Sequence, residues 1–169
     1  MPCNKLAVRA AALQIDARLL RALFANPLAL RAMADALVQA SQEQVSVWND
    51  QNATWVDGYL AYRSRQANHQ TVPLAQVARA DAAYIDFCTA HGTIRLAADS
   101  SLEARDGWEP GRTRRDMAQL LATFGQAVTL TAVVVAQNLV VEALRQAGVT
   151  VERDEVNPQA SARIITLTL

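Results

Sequence analysis

"PLALRAMADALVQASQEQVSVWNDQNATWVDGYLAYRSRQ", residues 27–66, decides the fold by the period read in it. After Pro27 it holds no proline and one glycine, Gly58, which costs a helix about 1 kcal/mol relative to alanine. Leu30, Met33, Leu37, Ala40, Gln44, Trp48, Trp55, Tyr59 and Tyr62 form a stripe, and Trp48, Trp55 and Tyr62 recur every seven residues, the repeat of helices lying side by side. The pattern predicts one helix of some 40 residues, well above the usual length. Such a rod exceeds the width of a compact domain of this size, so part of it is expected to meet another chain. The alternative is a plain bundle core in which Gly58 breaks the rod in two.

Working outward, Asn26-Pro27 supplies both a stop and a start, since asparagine caps helices and proline fits the first turn. Before it, Leu6, Ala10, Leu13, Ala17, Leu20 and Phe24 predict a helix from Asn4 to Ala25. After a polar connection containing His69, a helix is expected from Pro73 to His91, ended by Gly92, with Leu74, Val77, Tyr84, Ile85 and Cys88 inward. Periodicity then fails, and "AADSSLEARDGWEPGR" reads as an irregular loop. Thr113 and Asp116 form a variant capping box opening a helix that Gly148 stops. Within it "VTLTAVVV" could be a buried strand, but helical spacing continues through Leu139, Val140, Ala143 and Leu144, which favours a helix covered on most sides by the other helices or by a neighbouring subunit. "VTVERDEV" and "ARIITLTL", joined by Asn157 to Ser161, read as a hairpin with Ile165, Leu167 and Leu169 on one face.

The expected fold is therefore α+β and mainly α: a bundle of about four helices, one unusually long, with a C-terminal antiparallel β-hairpin. It is one domain over residues 1–169, with a helical part (1–92), an irregular loop (93–112), a buried helix (113–148) and the hairpin (149–169).

Composition narrows the function classes. Sixteen basic and sixteen acidic residues cancel, so no global field draws the chain to nucleic acid or an anionic membrane, and little repulsion opposes self-association. Cys3 and Cys88 set no disulfide framework, and the apolar run after Lys5 is broken by Arg9, Gln14 and Asp16, unlike a signal peptide. Synthesis in a reducing cytoplasm is expected, with incorporation into a particle compatible with it. The apolar and threonine run ending at Ala136 is about ten residues against the roughly 20 of a membrane span, so no transmembrane segment is expected.

Candidate chemistry is sparse. Cys88 and His91 have metal-ligand spacing on a helix, but a complete site would need Cys3 and His69 to converge from remote positions. A Cys88/His91 nucleophile pair oriented by Asp86 fails on a helix, where residues 86 and 88 point about 200° apart. No catalytic residue, metal or cofactor is assigned. The densest basic cluster, Arg105, Arg112, Arg114 and Arg115, sits at a helix N-terminus beside Trp108 and could hold an anion, though Glu103, Asp106, Glu109 and Asp116 balance it locally.

The expectation is a non-enzymatic structural protein, a subunit of a homo-oligomer or larger particle such as a virion or bacterial particle, associating with itself or other subunits. Its interaction residues would be Trp48, Trp55, Tyr62, Trp108, Ile165, Leu167 and Leu169. The alternatives are an anion or nucleic-acid binding module using Arg112, Arg114, Arg115 and Trp108, and a small metal- or Cys-dependent enzyme using Cys88 and His91.

Overall fold

The helix opening at Pro27 stops at Ser41 in the computed structural model of the chain, which describes residues 7–10, 12–56, 70–89, 92–105, 114–157 and 162–168. Asn26 caps this helix, α2 (Pro27–Ser41), as its side-chain oxygen accepts from the N–H groups of Leu28 (3.0 Å) and Ala29 (3.2 Å). No glycine ends it. The Ser41 hydroxyl donates back to the Leu37 carbonyl at 2.7 Å, and Gln42 takes a left-handed φ of 58° with its N–H on the Val38 carbonyl.

From Val45 the period becomes two. Strands β2 (Ser46–Asn49) and β3 (Ala53–Val56) pair antiparallel, Val47 opposite Trp55 and Trp48 opposite Thr54. The turn is "NDQN", residues 49–52: the buried Asn49 accepts from the N–H groups of Gln51 (2.9 Å) and Ala53 (3.1 Å), and Asn52 adopts φ 59°. The predicted rod is thus a helix followed by a hairpin. Trp48 and Trp55 fall on opposite faces of a sheet instead of one helical seam, and Tyr62 lies outside the described residues.

Strands replace predicted helix elsewhere too. Val8–Arg9 is β1, and helix begins only at α1 (Ala17–Ala25), where the Asp16 carboxylate accepts from the Arg18 N–H at 2.8 Å. The expected helix from Pro73 to His91 shrinks to α3 (Leu74–Val77), preceded by β4 (Gln70–Thr71) and followed by β5 (Tyr84–Cys88). The expected loop holds β6 (Thr93–Ala97) and β7 (Leu102–Arg105). The sheet runs β1-β7-β6-β5-β2-β3-β4, antiparallel throughout its first six strands, with β4 parallel to β3 at the edge. The protein is therefore mixed α/β and not a four-helix bundle. The physical reason is alternation: Ile85 and Phe87 flank Asp86, Ile94 and Leu96 flank Arg95, Leu102 and Ala104 flank Glu103, each an apolar-in, polar-out strand.

That alternation builds the core. Val8, Ala104, Ile94, Phe87 and Val47 are successive cross-strand neighbours and all are buried. Helix α4 (Arg114–Gln146) buries Met117, Leu121, Phe124 and Val128, and the Phe124 ring meets Phe87 edge-on at 5.1 Å. Leu20, Leu23 and Phe24 of α1 and Leu30, Met33 and Leu37 of α2 are buried as well, and Arg31 lies 5.0 Å over the Trp55 ring.

The chain divides into two compact units, residues 1–132 and 133–169, with α4 continuous through the division. Residues 128–135 are helical. The Thr129 and Thr131 hydroxyls donate to the carbonyls of Gly125 (3.0 Å) and Ala127 (2.8 Å), satisfying the polar atoms of the β-branched run within the helix. Gly148, at φ 83°, closes α4 with its N–H on the Arg145 carbonyl and the Val149 N–H on the Leu144 carbonyl. In the second unit β8 (Thr150–Asn157) and β9 (Ala162–Thr168) form the expected antiparallel hairpin.

Candidate association surface

Between Asp116 and Glu142 the sequence carries no charged residue. Residues so apolar must be covered, and in the first unit one stripe is: Met117, Leu121, Phe124 and Val128, four or three apart, are buried. A second stripe has a different character along its length. Gln119, Gln126, Val133 and Val140 follow one another every seven residues, returning to nearly the same side of the helix, polar at first and then apolar. Within the chain itself the C-terminal half of the helix is open: Val133, Val134, Leu139 and Val140 are exposed, as is Leu130 one turn before them.

The hairpin attaches within the second unit to a third stripe. Arg163 of β9 donates through one terminal nitrogen to the Asn138 side-chain oxygen at 2.6 Å, and Val141, one turn on, is buried. The other guanidinium nitrogens of Arg163 grip Asp154 of β8 at 2.6 and 2.7 Å. This hydrogen bonding holds the Asp154 carboxyl below its usual range, with the positive charges of Arg163 and Arg145 acting in the same direction. Thr168 donates to Glu152 across the strands. Ile165 is half-buried, whereas Ile164 and Leu167 are exposed. Val133, Val134, Leu139, Val140, Ile164 and Leu167 are each between 41% and 56% exposed, spread around the C-terminal half of α4 and over both faces of β9.

Trp48 is half-buried, its indole N–H donating to the Ser46 hydroxyl at 2.9 Å. Trp108, Arg112 and Leu169 lie outside the described residues. Arg114 begins α4 and Arg115 follows it, exposed.

Cys88 changes environment with the fold. On a strand, Asp86 and Cys88 share a face rather than pointing 200° apart. Asp86 is already held by Arg95 through two 2.8 Å bonds, and that guanidinium stacks 3.5 Å over the Tyr84 ring. Burial pushes the Cys88 thiol up to about 11, despite the hydrogen bond from Thr93, so it is neutral at pH 7 and a poor nucleophile. His91 lies outside the described residues. Along the same face Arg9 and Arg105 flank Glu103 at 3.5 and 3.7 Å, completing a row of alternating sign. The first unit also has an open apolar groove of about 550 Å³ lined by Leu13, Leu102, Leu121, Gly125 and Leu130.

No family model, curated protein or solved structure matches this chain. By length and composition Arg115–Gln146 would suffice to cross a membrane, with 22% of its apolar window buried. The helix passes this test because it continues past Gln137 and Asn138 with further apolar residues, beyond the ten-residue run ending at Ala136. The exposed stripe is the feature that sequence reasoning missed. Its signal is present in the change from Gln119 and Gln126 to Val133 and Val140 at one helical position.

Proposed function

We propose that this chain is a non-enzymatic structural protein, a subunit of a homo-oligomer or larger particle, which associates through the apolar surface of residues 133–169. The observation that carries this reading is the exposure of Val133, Val134, Leu139, Val140, Ile164 and Leu167 in a unit of that size. Units below about 40 residues generally need a disulfide, a metal or a partner chain to be stable. The exposed valine, leucine and isoleucine side chains of residues 133–169 are what a partner chain would cover. A lipid-facing role fits less well. Gln119 and Gln126 precede Val133 on the same side of α4, and Met117, Leu121, Phe124 and Val128 are occupied in the core of the first unit.

The test is light scattering after size exclusion on the full chain, at low and high salt, recording absorbance at 260 and 280 nm. A defined oligomer that persists in high salt, carries no nucleic acid and becomes monomeric in Val133→Ser/Val140→Ser is the expected result. A wild-type monomer at tens of micromolar, or a chain extracted only by detergent, rules the reading out. Nucleic acid that co-elutes at low salt and leaves at high would instead assign the function to Arg112, Arg114 and Arg115.

A further inference from the structure

We draw no further inference here: the strongest candidate, the open apolar groove that Leu13, Leu102, Leu121, Gly125 and Leu130 line beside α4 in the first unit, carries nothing because nothing in the structure shows what covers it.

Discussion

At Cys88 a change of secondary structure changes the chemistry of one side chain. On the predicted helix it would sit a turn from His91, whereas on β5 it is buried beside Thr93, with Asp86 already committed to Arg95. Its pKa, raised to about 11 chiefly by burial, has a consequence for stability. The unfolded thiol ionises near 9 and the folded one near 11, so the unfolded state loses its proton first. The contribution is intact below pH 9 and is lost as pH rises towards 11, amounting to no more than about 3 kcal/mol. Urea unfolding from pH 8 to 11 should therefore show a steeper loss of stability in the wild type than in Cys88→Ala; parallel curves would contradict the burial of the thiol. The pairing of β8 with β9 was legible from alternation alone, but the exposed apolar residues of α4 were not. Val133 and Val140 have the same hydropathy whether a sheet covers them or water does.

Among the elements, two of the predicted caps were readable and several of the periods were not. Asn26-Pro27 and Gly148 act where the sequence places them, because capping depends on atoms within one turn. The hairpin of β2 and β3 was hidden because tryptophans seven apart satisfy a heptad equally well, and the turn signal "NDQN" contains no glycine or proline. Asn49 is the residue on which that turn depends. It accepts two backbone N–H groups and donates to the Val77 carbonyl at 3.2 Å, all while buried. Asn49→Ala should cost about 2–3 kcal/mol by leaving those groups without partners, whereas a surface substitution costs a few tenths. Denaturant titration measures it, and a loss below ~0.5 kcal/mol would mean that the turn is held by other contacts.

On the scale of the whole molecule, the two units differ in how completely they bury themselves. The first buries most of its large apolar side chains between sheet and helices, while the second leaves most of its valine, leucine and isoleucine side chains at least partly in water. If a second copy covers those side chains, folding and association are linked, and stability depends on concentration. A tenfold increase in protein concentration is expected to raise the melting temperature of the wild type by about 2–4 °C and to leave Val133→Ser/Val140→Ser unmoved, as calorimetry can determine. A concentration-independent wild type would place the stability wholly within one chain.

What the sequence determined by itself was local: the start of α2, the end of α4 and the C-terminal hairpin. Each depends on neighbours within a few residues, which periodicity and capping rules see. Tertiary structure alone decided that Trp48 and Trp55 belong to strands, that residues 84–105 join them in one sheet, and that the C-terminal half of α4 keeps an open apolar stripe. Those outcomes are set by partners distant in the chain: Val47 becomes a strand residue by pairing with Phe87, and Val140 remains exposed for want of such a partner within its own unit.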